Sequence, residues 1–186
     1  MLRLRQWLTS LMMAALVLCA AGTGTAETLE IPLATHAVIT NGASRVRNLL
    51  KFADLSPLAG KRILYAKLLL NVQFDSCVTS ERDLEVKLLS RTWDPTSVTW
   101  ESPWDSAGGD VVAGLVRHTT VPPGPEGNVE VLLTEIVQGW VDGRFPDCGF
   151  LLVPHAPECS YALTTREDFP AKGYGKLVVS FVAKEP

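Results

Sequence analysis

Apolar residues in this chain recur in short runs, with β-branched and aromatic members, separated by clusters of Pro, Gly, Asn and Asp. Such punctuation marks strands. The runs predict strands over residues 37–39, 48–52, 63–74, 84–90, 97–100, 129–133, 149–154, 161–165 and 176–183. Many short strands at this spacing predict a β-sandwich. Alternation is clearest where Leu64, Ala66, Leu68, Leu70 and Val72 share one face and Tyr65, Lys67, Leu69, Asn71 and Gln73 the other. The first face is core and the second mostly wet. The last run repeats the pattern, with Leu177, Val179 and Phe181 facing one way, as a terminal strand that closes a sheet edge.

One segment breaks the β rhythm. Leu133, Ile136, Val137 and Trp140 stand at helical spacing, with Thr134 as N-cap and Gly143 as stop. The spacing predicts a helix of about two turns that lays Val137 and Trp140 on the sandwich. The connection over residues 102–128, with Gly108-Gly109 and Pro122-Pro123-Gly124-Pro125, reads as a long mobile loop.

The first residues change what counts as fold. Arg3 and Arg5 precede an apolar stretch, 7–21, interrupted only by Thr9 and Ser10, and the small-residue run 22–26 follows. That order is a signal peptide's, with cleavage expected between Ala26 and Glu27. The uninterrupted apolar part, 11–21, is shorter than the roughly 20 residues of a membrane span. Lipidation at Cys19 is disfavoured by the bulk of Leu18. The expected product is one secreted domain, 27–186, in the extracellular space, at the cell surface or in a periplasm, with no membrane span after cleavage.

The formal net charge is −3 and becomes about −5 without the leader, so polyanion binding through bulk charge, and with it nucleic acid, is not expected. Cys77, Cys148 and Cys159 remain in the exported chain and allow three pairings. A hairpin of 149–154 with 161–165 would hold Cys148 and Cys159 beyond the roughly 5.5–6 Å that a bridge favours, so Cys77 with Cys159 is the expected pair.

Several pieces then line up in order: Leu49-Leu50-Lys51-Phe52, Asp54-Leu55-Ser56, Ala66-Lys67-Leu68-Leu69-Leu70 and Thr92-Trp93-Asp94-Pro95-Thr96-Ser97-Val98-Thr99-Trp100. Thr134-Glu135-Ile136-Val137-Gln138-Gly139-Trp140, Gly149-Phe150-Leu151-Leu152, Thr165-Arg166-Glu167 and Leu177-Val178-Val179-Ser180-Phe181 follow. In this order the chain resembles the DNRLRE domain family. The resemblance implies an antiparallel jelly-roll-like β-sandwich of secreted proteins, one branch of which is a carbohydrate-binding module for acidic polysaccharides such as alginate.

No Gly-x-Ser-x-Gly elbow, His-Glu-x-x-His helix, phosphate loop or dinucleotide fingerprint occurs, so the sequence offers no anchor for catalysis and no cofactor is expected. Cys148, His155 and Cys159 suggest a metal cluster, but a structural zinc needs a fourth ligand; His155 reads as a turn residue. The 105–110 segment offers Asp105 and Asp110, too few oxygens for calcium, and reads as a solvated acidic turn. Trp93, Trp100 and Trp140 read as buried. Trp104, after Pro103 at the mouth of the long loop, is the candidate for a ligand-contacting ring, with Arg117 as its cationic partner. Arg45, Arg47 and Arg166 are further guanidiniums able to grip a carboxylate, although Arg166 stands beside Glu167 and Asp168. The expected function is non-catalytic binding of a polysaccharide. The alternative is a structural or adhesion role at the cell surface or in a matrix through protein contacts.

Overall fold

The computed structural model of the chain describes residues 25–42, 45–74, 81–124, 126–155, 161–163 and 175–184, the side chains of 72–74, 126–127 and 161–163 excepted. It is all-β apart from one short helix and a 3-10 turn. The strands are β1 (Glu27–Thr40), β2 (Val46–Phe52), β3 (Lys61–Phe74), β4 (Arg82–Leu89), β5 (Val111–Val121), β6 (Glu126–Leu132), β7 (Phe150–Pro154), β8 (Tyr161–Leu163) and β9 (Lys176–Ala183), with α1 (Thr134–Val141) between β6 and β7.

Every ladder is antiparallel. The order β5-β4-β7-β2-β1-β9-β3-β6, with β8 also on β3, folds into two layers because β1 belongs to both. Its first half, Glu27 to Pro32, pairs with β9, and its second half, Leu33 to Thr40, pairs with β2. The change of partner falls at Pro32, whose ring nitrogen has no hydrogen to donate. There the Pro32 carbonyl accepts from Ala53 N and Leu33 N donates to Gly175 O, both at 3.0 Å. The path ends, β5 and β6, follow one another in the chain and lie side by side, so the sheet nearly closes on itself.

The layers meet through the alternation read from the sequence. Leu50 and Phe52 on β2, Leu84, Val86 and Leu88 on β4, and Phe150 and Leu152 on β7 face Ala66, Leu68, Leu70, Val129, Val131, Leu177, Val179 and Phe181. Each such leucine contributes about 1.5–3 kcal/mol by leaving water. Leu64 departs from the pattern: a bulge between Ile63 and Tyr65 turns it out to 41 % exposure.

The helix forms where expected, and its Val-Gln-Gly-Trp run has a reason at each position. Val137 and Trp140 are buried, and Trp140 packs on Phe150 with ring centroids 5.0 Å apart while its indole N–H donates to Pro146 O. Gln138 accepts from Ile63 N at 2.7 Å, beside the β3 bulge. A Cβ on Gly139 would stand 2.2 Å from the Phe145 ring. Thr134 is not the N-cap; Leu133 holds that position, and the Thr134 hydroxyl accepts from Ala66 N instead.

Four expectations are corrected. Residues 97–100 form turns, not a strand, and most of the supposed loop 102–128 is strand: β5 and the start of β6. β9 lies between β1 and β3 rather than at an edge, because it is apolar on one face and ladder-paired on both sides. The expected hairpin of β7 with the 161–165 strand is not formed, since β7 pairs with β2 and β4 and β8 pairs with β3. Cys77 and Cys159, residues 1–24 with Cys19, and Arg166 lie outside the described residues.

Candidate functional site

The outer face of the β5-β4-β7-β2-β1 layer is divided into two halves. On one half Ile39, Leu49, Leu89 and Leu151 point outward, and residues 90–110 fold over them as a cap. The cap's inner surface is Trp93, Trp100 and Trp104, all buried, with Cys148 beneath. Short polar turns set its path. Asp94 accepts from the Thr96 amide and hydroxyl, and Thr99 Oγ1 accepts from Glu101 N and Ser102 N. Asp110 accepts from Asp105 N and Ser106 N, and Arg91 pairs with both Asp105 and Asp110. The carboxylates of the acidic turn are therefore engaged with an arginine and with amides. Arg47 reaches up from β2, stacks on Trp100 with its guanidinium carbon 4.6 Å from the ring centroid, and donates to Gly108 O.

Trp104 is thus corrected from an exposed ring to a cap residue, 7 % exposed, whose indole N–H donates to Thr99 O at 2.9 Å. Arg117 does not share its face. Its register partner on β4 is the core residue Val86, and its guanidinium bonds Glu135 at the start of α1 at 2.8 Å. The pair expected to grip a ligand stands on opposite faces of one sheet. An open cavity of about 340 Å³ at the cap, lined by Thr92, Trp93, Asp94, Ser97, Ser102 and Pro103, offers hydroxyls, but its one carboxylate is held by Thr96.

The uncapped half carries the charge. Along β4 the core residues Leu84, Val86 and Leu88 alternate with Asp83, Glu85 and Lys87, which therefore face outward. Glu85 is the centre, with its side chain 13 % exposed. Lys87 Nζ lies 2.7 Å from Oε2, His155 Nε2 3.0 Å from Oε1, and His118 Nδ1, directly opposite on β5, 3.9 Å from Oε1. Burial alone would raise the Glu85 pKa, but the hydrogen bonds and positive charge of Lys87 and His155 outweigh it and hold the carboxyl below its ordinary range. Burial, then Arg45, lower the pKa of Arg47, against which Glu85 acts; the guanidinium keeps its charge regardless. Arg45 and Lys87 stand here against Asp83 and Glu85, with Arg47 on the border with the cap, on a chain of net charge −3.

Sequence reasoning named Arg45 and Arg47 but missed Glu85, Lys87, His118 and the role of His155. The alternation of β4 carries the signal for the first two. His118 carries no such signal, because the sequence of β5 reads as loop.

Cys148 and His155 flank β7 at opposite ends, about 16 Å of strand apart, so they cannot share a metal; among the described residues no three ligating side chains are placed to hold a metal ion. Burial, partly offset by Lys51, raises the pKa of the Cys148 thiol, which is free. Native Cys148 should therefore react with an alkylating reagent at pH 8 at least about ten-fold more slowly than in denaturant. Peptide mapping after timed labelling checks this, and equal rates would mean that the cap opens freely.

Fold and face together define an all-β sandwich with one outer face half capped by tryptophans and half lined by a carboxylate set among basic groups. No family model and no curated protein matches the chain. No helix among the described residues is long and apolar enough to cross a membrane.

Proposed function

We propose that the protein is a secreted, non-catalytic polysaccharide-binding module that takes acidic glycans on the uncapped half of the β5-β4-β7-β2-β1 face, and that it is a distant relative of the DNRLRE family. The observation that carries this reading is the basic surround of Glu85. Lys87, His118 and His155 reach the surface around a carboxylate that orients two of them, with Arg45 at the rim. An ammonium and imidazole N–H donors held by strands can bond the carboxylates of a uronate chain. The signal-peptide pattern and the motif order support export and the family reading.

Titration calorimetry with an alginate hexasaccharide tests the proposal. Binding should weaken on the order of ten-fold between low salt and ~0.3 M salt, as the attraction is screened. Lys87→Ala combined with His118→Ala should weaken it by about ten-fold or more while the melting temperature stays within a few degrees of the parent's. An unchanged affinity in that variant would move the site elsewhere. Absence of binding to acidic glycans would remove the reading and leave the structural or adhesion role in front.

A further inference from the structure

The other layer leaves its outer face open, and the ladder register fixes what lies on it. One row runs Thr28, Ser180, Tyr65 across β1, β9 and β3. The next runs Glu30, Val178, Lys67, Leu132, reaching β6, and the third Lys176, Leu69, Glu130. These residues alternate with the core positions Leu29, Val179, Ala66, Leu68 and Val131, so they face away from the interior.

Three features set this face apart. Tyr65 is 42 % exposed, the one Phe, Tyr or Trp ring more than a third exposed among the described residues, and the bulge at Leu64 widens the apolar surface beside it. Leu132, 55 % exposed, is its diagonal neighbour across the ladder, about 7–8 Å away. The charges cancel within the face, because Lys67 pairs with Glu130 at 2.9 Å and Lys176 with Glu30 at 2.8 Å. The hydroxyls of Thr28 and Ser180 meet at 3.0 Å, in line with the Tyr65 ring and within about two strand spacings, 9–10 Å, of it.

We propose that this face is a second binding site, separate from the strip around Glu85, and that its ligand is a neutral, linear polysaccharide whose pyranose ring stacks on Tyr65 while its hydroxyls bond Thr28 and Ser180. The charge balance argues for a neutral ligand, since in these rows two acids match two bases and, unlike the strip around Glu85, leave no basic surplus for an acidic one. The apolar area argues against a protein or a second copy. Tyr65, Leu64 and Leu132, each about half exposed, fall short of the apolar share, a little over half, of the roughly 800 Å² per partner that a stable interface covers. A rigid aromatic ring with hydroxyls alongside matches a sugar, which has an apolar face and a polar rim.

The test is a titration of the purified protein, followed by amide NMR shifts, with four neutral hexasaccharides: β-1,4-glucan, β-1,4-mannan, β-1,4-xylan and β-1,3-glucan. At least one should bind and shift the amides of Thr28, Tyr65, Lys67, Leu132 and Ser180, leaving those of Glu85, Lys87 and His118 in place. Tyr65→Ala should weaken it about ten-fold or more, and Tyr65→Phe by no more than about three-fold, because stacking needs the ring and not its hydroxyl. No binding by any of the four, shifts confined to other residues, or a Tyr65→Ala variant that binds like the parent would overturn the proposal. Concentration-dependent self-association that Tyr65→Ala abolishes would also overturn it, by making the face a contact between copies. The two sites share no residue. Loss of alginate binding in the Lys87 and His118 variant with neutral binding intact tests the strip alone, and the converse in Tyr65→Ala tests this face alone.

Discussion

Replacing Gly149 by alanine is expected to destabilise the protein by about 4 kcal/mol or more, enough to leave a chain of ordinary stability mostly unfolded. Gly149 enters β7 with φ +86°, in the left-handed region, and a Cβ there would stand 2.1 Å from the Leu50 carbonyl oxygen and 3.2 Å from Lys51 Cα. Both obstacles are backbone, in a strand held on one side by β7 and on the other by β1, so neither can rotate away. Gly143 supplies the comparison. It has φ +69° and open space around its Cβ position, so Gly143→Ala meets only the conformational term, about 1–2 kcal/mol. Urea unfolding of both variants separates strain from contact. Equal losses at the two positions would show that β2 yields to the added methyl.

The sequence carried the layers better than the site, and the reason is periodicity. β4 and β9 alternate cleanly, one face apolar, and α1 has three apolar residues at helical spacing, so each was legible with its buried face. β5 was not. Gly114, Arg117, His118, Thr119 and Thr120 give it weak alternation, because its outer face is partly open, and the flanking Gly and Pro clusters looked like loop. Without β5 the sequence gives His118 no strand to stand on, and Arg117 reads as a loop residue beside Trp104. Residues 97–100 failed for the opposite reason. Val98 and Trp100 alternate as strand residues do, yet they serve an apolar surface that a turn lays on top of a sheet. A sequence pattern states that a residue is buried without stating by which element.

That cap is where the second large effect is expected. Trp100→Ala should lower stability by about 3–5 kcal/mol, the usual cost of emptying a large buried aromatic site. Trp100 is 6 % exposed and packs among Ile39, Leu49, Leu89, Trp93, Trp104 and Leu151. Its loss leaves a void over the sheet and takes away the ring on which Arg47 rests, while the half-buried guanidinium keeps its bond to Gly108 O and the attraction of Glu85. Gly108 shows how closely the parts fit: a Cβ there would meet Arg47 and stand 2.9 Å from Trp100 Cζ2. Since the cap covers one half of the face and the basic strip occupies the other, Trp100→Ala should alter alginate affinity far less than it alters the denaturation midpoint, provided binding is measured below the onset of unfolding. Trp100→Phe should recover part of the stability, because a smaller ring still covers Leu49 and Leu151. Denaturation curves of the two variants, set beside their titrations, check both statements. A Trp100→Ala protein that unfolds like the parent but no longer binds would make Trp100 a ligand-contacting residue and would reverse the division of the face into a structural half and a binding half.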